Sequence, residues 1–172
     1  MTDPRAVVVL IGAPGAGKTR TGKRLARLLD RPLIDTDKRV VAQHGPIAEI
    51  FAQRGEAHFR VLEREAVAAA LREPAIVTLG GGAVLDPHTQ ADLAGLPVVQ
   101  LTVSSEAVEG RIAGGKRPLV SGGIDSWIAL VASRQPLYDR LSHLTIDTST
   151  EPLDEVAARI AAWLDTRQEH HD

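Results

Sequence analysis

The stretch GAPGAGKT, residues 12–19, places a glycine, four residues and then Gly-Lys-Thr directly after the apolar run VVVLI and directly before a helical pattern. Gly12, Gly15 and Gly17 allow backbone conformations and close approaches that a side chain would block. With Ala13, Pro14 and Ala16 between them, the loop's peptide N–H groups can curl into an anion nest at the positive end of the next helix. Lys18 is then placed to reach β- and γ-phosphates, and the Thr19 hydroxyl to ligate Mg2+. A strand before and a helix after make this spacing specific. It implies a nucleoside triphosphate.

Two more carboxylates follow in LIDTD, residues 33–37. If the run is a strand, Asp35 and Asp37 project from the same face. They would repel unless a cation or a hydrogen-bonded ligand intervened. The alternative is a capping pair, because TDKRVV could begin a helix at Thr36 or Asp37. The phosphate loop upstream favours Asp35 as the acidic partner for Mg2+, since ligands of doubly wound sheets bind at the carboxyl ends of strands. Asp37 is left to meet something other than the nucleotide.

An acceptor pocket has candidates of its own. Phe51 and Phe59, the chain's two phenylalanines, lie beside Arg60, with Glu63 three residues further on. They suggest a small pocket with an apolar wall, although an amphipathic helix with an exposed Arg–Glu pair, worth only about 0.3–0.5 kcal/mol, would look similar. Gly80, Gly81 and Gly82 end another apolar run, where a ligand could touch backbone N–H groups; a tight turn is the plain alternative. Arg117, in a glycine-flanked loop, and Arg134, in SRQPLYDR, would each be a solvated charge by default.

These residues need a scaffold. Runs at 6–12, 32–35, 75–81, 98–103 and 143–148 read as buried strands. Helical patterns fill 18–29, about 47–71 in two pieces broken near Gly55, 88–94, 105–112, about 126–140 and 153–166. In the last, Leu153, Val156, Ala157, Ile160 and Leu164 form one stripe, with Trp163 beside it as packing. The alternation predicts an α/β fold, a parallel sheet covered by helices on both faces. The long loop 113–125 is expected to be functional or disordered, and the polar end 167–172, with His170 and His171, to fray.

Composition excludes several alternatives. The chain has 172 residues, 44% hydrophobic, which suits a single domain with a proper core. Its 20 basic and 22 acidic residues leave a net charge of −2, so no overall field favours nucleic acid. Cysteine is absent, which removes thiolate catalysis and thiolate metal sites. No apolar run is long enough to cross a bilayer. The opening MTDPRAVVVLIGAPG reads as a first core strand rather than a secretion signal, and a cytoplasmic location is expected. Guanine selection by an Asn-Lys-x-Asp element is impossible, because the chain has no Asn.

In order along the chain, IGAPGAGKT, LIDTD, IF…GE..FR..E, LGGGAV, RPL and RQPLY resemble the shikimate kinase family. The resemblance implies a P-loop NTPase fold like that of the nucleoside monophosphate kinases, three-layered α/β/α with a five-stranded parallel sheet and a mobile lid over about 113–125. It implies a single kinase domain over 1–172, with an acceptor-binding region at about 36–64. The activity implied is transfer of the ATP γ-phosphoryl group to the 3-hydroxyl of shikimate, with Mg2+, in a monomer, on the chorismate route to aromatic amino acids. By motif, Asp37, Arg60, Gly80–Gly82 and Arg134 would surround shikimate. Glu63 would buttress Arg60, and Phe51 and Phe59 would line the ring. Arg117 would touch the γ-phosphate, and Arg111 and Pro152 would flank the adenine. Gluconate kinase is the nearest enzymatic alternative, but lacks the combined FR, GGG and RPL set. A nucleotide-binding module with decayed catalysis is disfavoured because every expected catalytic residue is present.

Overall fold

The computed structural model describes residues 5–113 and 122–170. The five apolar runs form strands β1 (Val8–Gly12), β2 (Leu33–Asp35), β3 (Ile76–Thr78), β4 (Val98–Thr102) and β5 (Leu144–Asp147). They lie in the order β2-β3-β1-β4-β5, and every adjoining pair is parallel. The strand that feeds the phosphate loop is therefore central, and it is buried throughout.

Alternation along β1 builds a core on each side of the sheet. Val9 and Ile11 join Val77, Val67, Leu71, Leu93 and Tyr138 on one side. Val8 and Leu10 join Leu25, Leu101, Trp127, Ile160 and Leu164 on the other. The helices that cover these faces are α1 (Lys18–Leu29), α2 (Thr36–His44), α3 (Ile47–Ala70), α4 (Pro87–Leu93), α5 (Ser105–Ala113), α6 (Gly123–Leu141) and α7 (Leu153–Glu169), with a short 3-10 turn at Ala83–Leu85. Val40 of α2 and Ile50, Phe59, Leu62 and Ala66 of α3 make a third, smaller core beneath the acceptor region. The break in α3 falls where expected: Gly55 takes φ 82°, ψ 168°, which no helix accommodates.

Four expectations need correction. Strand β2 stops at Asp35 and helix α2 begins at once with Thr36, so Asp35 and Asp37 do not share a strand face. The cause is Asp35 itself, whose Oδ1 accepts from the Lys38 N–H at 3.2 Å and caps the helix. Strands β2 and β5 lie at the sheet's edges and bury only Ile34 and Ile146 among their residues. The third run is strand only over Ile76–Thr78, so the glycine triplet lies beyond it as loop. Helix α7 continues to Glu169, and His170 Nδ1 lies 2.6 Å from the Thr166 carbonyl. Trp163 packs beside the α7 stripe as expected.

Candidate active site

Local sequence shapes the phosphate loop first. Gly12 (φ 139°) must be glycine for a second reason, because a Cβ there would lie 2.2 Å from the Leu101 carbonyl oxygen of β4. Gly17 (φ 85°) caps α1 without a side-chain partner, which leaves the N-terminal N–H groups of that helix free for an anion. The loop's carbonyls take donors from three helices and from the segment that follows β5. Lys18 Nζ donates to the Gly12 and Ala13 oxygens at 2.7 and 3.0 Å. Trp127 Nε1 donates to Pro14 O at 2.8 Å, Arg111 Nη1 to Gly15 O at 2.6 Å, and Thr148 Oγ1 to Ala16 O at 2.7 Å. With its carbonyls held outward, the loop turns its amides toward the cavity.

A cavity of about 360 Å³ runs from this loop past Lys18, Thr19, Asp35 and Asp37 to Gly80 and Gly81. Thr19 Oγ1 donates to Asp35 Oδ2 at 2.8 Å, while the other Asp35 oxygen caps α2. The cap and the expected metal partner are thus the same residue, one oxygen for each task. A hydroxyl and a carboxylate side by side are hard oxygen donors of the kind Mg2+ uses together with substrate phosphates.

Charge at the cavity is tuned by burial. The Lys18 ammonium is pulled from its ordinary value to about 8 by burial, against the opposing pull of Asp37 and then Asp35. Burial, and then the charge of Asp35, hold the Asp37 carboxyl above the ordinary carboxylate range, while Lys18 and Arg60 oppose. Asp37 is therefore a stronger base than a free aspartate, even with the charges of Lys18 and Arg60 opposing.

The glycine triplet explains how three charged side chains meet. A Cβ on Gly80 would lie 2.7 and 2.8 Å from the two Asp37 oxygens. One on Gly81 would lie 3.1 Å from Arg134 Nη1, and one on Gly82 would lie 2.6 Å from Arg60 Nη1. Each glycine makes room for one expected acceptor residue, so the space read from sequence as ligand approach is taken up by side chains. Arg60 is held by Glu63 at 2.8 Å and Glu56 at 3.4 Å, and burial raises the Glu63 carboxyl above its ordinary range. Arg60, Glu63 and Gly82 also line a second cavity of about 370 Å³, so the triplet is a wall common to both spaces.

Other expected residues stand further back. Phe59 is buried in the third core, and Phe51 packs on it with ring centroids 5.0 Å apart but stays 38% exposed; neither lines the main cavity. Arg111 grips the loop from outside, through Gly15 O and the Thr148 carbonyl. Pro152 caps α7, whose first side chain, Leu153, comes within 3.6 Å of a Cβ built on Gly17. Arg117 and most of the 113–125 loop lie outside the described residues.

Trp127, Tyr138 and Thr148 were not anticipated. Tyr138 donates to Gly81 O at 2.7 Å. Its presence within RQPLY and the scarcity of Trp and Tyr, two and one in the chain, were the available signals.

A family model described as shikimate kinase matches residues 14–165. The chain belongs to the shikimate kinase family. The shikimate kinase of Thermobifida fusca is 44% identical over 164 residues, covering 93% of this chain and 95% of that protein. The shikimate kinase of Mycobacterium avium is 46% identical over 153 residues, 85% of each chain. Among solved structures, shikimate kinase from Acinetobacter baumannii in complex with shikimate superposes with a TM-score of 0.84 at 28% identity, over 95% of this chain and 94% of that one. The expected fold class, a three-layered P-loop kinase with a five-stranded parallel sheet, is the fold found. Among the described residues no helix is long and apolar enough to cross a membrane.

Proposed function

We infer that this chain transfers the γ-phosphoryl group of ATP to the 3-hydroxyl of shikimate, giving ADP and shikimate 3-phosphate for aromatic amino acid biosynthesis. The observation that carries this reading is the seating of Asp37, Arg134 and Arg60 against three consecutive glycines beside a phosphate loop. Shikimate is a small carboxylate with several hydroxyls; its recognition wants arginine forks and one well-placed aspartate. Arg60 and Arg134 clamp the carboxylate, each charge-assisted bond contributing about 1.5–3 kcal/mol.

Asp37 orients the 3-hydroxyl and accepts its proton as the oxygen attacks the γ-phosphorus. The bond from that phosphorus to the β–γ bridging oxygen breaks, and ADP leaves. Because this transition state is loose, orientation contributes more than full proton removal. The Gly12–Thr19 loop and Lys18 hold the phosphates. Thr19 and Asp35 would hold Mg2+, which offsets phosphate charge when bound. Arg111 and Pro152 are assigned to the adenine end and Arg117 to the γ-phosphate, while Phe59, with Phe51 packed on it, supports the acceptor side from the small core beneath it. The protein is proposed to act as a monomer in the cytoplasm.

The test is ADP release from MgATP with no acceptor, with shikimate and with gluconate. Release that depends on shikimate, with phosphate recovered on the ring, is expected. Release with gluconate alone would keep the Asp37 role and overturn the acceptor. Slow release regardless of acceptor would reduce the chain to a nucleoside triphosphatase or a nucleotide switch.

A further inference from the structure

Helix α6 carries three long side chains on one face, Trp127, Arg134 and Tyr138, at i, i+7 and i+11. Trp127 and Tyr138 are 3% and 1% exposed. A buried ring with a polar tip needs a partner, and each finds a backbone carbonyl: Pro14 O for Trp127, Gly81 O for Tyr138. Pro14 belongs to the phosphate loop and Gly81 to the acceptor loop. The two loops touch, because a Cβ on Gly81 would lie 3.5 Å from the Pro14 ring. The anchoring residues stand about 16 Å apart along the helix, from 1.5 Å of rise per residue, and their donors reach two loops that adjoin each other. The carbonyls on either side of Gly81 are already engaged locally, Gly80 O by the Ala83 amide and Gly82 O by the Leu85 amide. Trp127 packs into one core layer and Tyr138 into the other, which ties the junction to both faces of the sheet.

We propose that Trp127 and Tyr138 are positioning residues that together fix the separation between the phosphate loop and the acceptor glycines, and with it the distance the phosphoryl group travels. Neither residue touches the reacting atoms. Their effect comes from the geometry of transfer, where a misplacement of about 1 Å can cost about a hundredfold in rate. Arg134, between them on the same face, shares the frame it reaches across. The inference takes its acceptor from the shikimate reading above.

The test compares Trp127→Phe, Tyr138→Phe and the double variant, each of which removes the donor and keeps an aromatic ring, although Trp127→Phe also replaces the larger indole by a phenyl group. Val131→Ala, a partly buried position on the same helix, controls for lost packing. Each single variant is expected to lower kcat about tenfold while KM for shikimate and MgADP affinity stay within threefold. Val131→Ala should lose melting temperature but keep kcat within twofold. The double variant should lose far less than the product of the two, because releasing either anchor frees the same motion. Intact kcat in both single variants, losses in affinity instead of kcat, or a double loss equal to the product would overturn the proposal. If Trp127→Phe fails to fold, Tyr138→Phe decides alone. Amide hydrogen exchange reads the coupling without turnover. Tyr138→Phe should raise exchange in residues 12–17 as well as in 80–83, and a rise confined to 80–83 would refute the coupling. A wild-type enzyme inactive on shikimate would overturn the functional reading while leaving that exchange result to judge this one.

Discussion

Gly80→Ala separates stability from catalysis more cleanly than any other single change in this site. Gly80 is not among the glycines with positive φ, so alanine meets no backbone penalty there. The added Cβ would lie 2.7 Å from one Asp37 oxygen and 2.8 Å from the other, whereas ordinary contact begins at 3.4 Å. The carboxylate must therefore retreat by about 0.7 Å, the difference 3.4 − 2.7. Asp37 is the free end of a side chain at the start of α2, so this retreat costs the fold little. It costs the reaction much more. At about a hundredfold per ångström of misplacement, 0.7 Å corresponds to a loss of roughly 10–100-fold in kcat, or about 1.4–2.7 kcal/mol of transition-state stabilisation. Coupled ADP-release kinetics with saturating shikimate read kcat and both KM values; calorimetry reads the melting temperature. The expected variant melts within a few degrees of wild type, binds MgATP with KM within threefold, and turns over at least tenfold more slowly. Gly12→Ala is the contrast, since its Cβ would meet a backbone oxygen at 2.2 Å and the sheet itself must move. A Gly80→Ala enzyme with kcat within threefold of wild type would show that the position of Asp37 does not limit transfer.

Asp37→Asn keeps a hydrogen bond to the hydroxyl but is a poor base; because orientation outweighs proton removal in a loose transition state, a fall in kcat of no more than about tenfold, with little change in KM for ATP, is expected in the same assay, and a fall beyond a hundredfold would make proton acceptance the larger part of its role. Because burial raises the Asp37 carboxyl, the active, deprotonated form is lost as pH falls through a value above the ordinary carboxylate range, so kcat/KM for shikimate should show an acid limb there. Lys18 gives the opposite limb: lowered to about 8 in the free protein, it loses its charge as pH rises past that value, and kcat/KM for ATP should fall, whereas Lys18→Arg should remove the limb whatever its absolute rate. For stability, burial and then the charge of Arg167 lower the His143 imidazole, whose Nδ1 accepts the Val98 N–H at 3.2 Å. A lowered folded pKa contributes stability that is complete above the unfolded value, about 6.5, and fades as pH falls below it. Melting temperatures of wild type and His143→Gln, compared between pH 7.5 and 5, should show the shallower decline in the variant.

The parts of this site that were legible in the sequence are those whose geometry is local. The phosphate loop could be read because its glycines, lysine and threonine act within eight consecutive residues between a strand and a helix. The parallel sheet followed from β-branched runs alternating with helical ones, and the break at Gly55 from one residue's conformational freedom. Asp37 does line the cavity beside the phosphate loop, but from the first turn of a helix and not from a strand. Read as strand throughout, LIDTD would put both aspartates on one face; the cap formed by Asp35 with the Lys38 N–H instead ends the strand at Asp35 and starts the helix at Thr36, the alternative that the sequence also left open. Phe59 shows the same limit, since nothing in FR distinguishes a ring that lines a pocket from one that fills the small core beneath it.

What could not be read is which distant group completes each local feature. Three glycines in a row announce that something approaches the backbone closely, and a ligand was the natural guess. The occupants are Asp37, Arg134 and Arg60, from three different helices. Likewise, an indole or phenol in an apolar setting announces that its polar tip has a partner. The partners of Trp127 and Tyr138 lie 113 and 57 residues away in the chain. Such pairings are fixed by the path of the fold and leave no periodicity behind. Sequence motifs therefore name the groups that face substrate, whereas the donors that hold the loops from behind emerge only when each buried carbonyl is asked for its hydrogen bond.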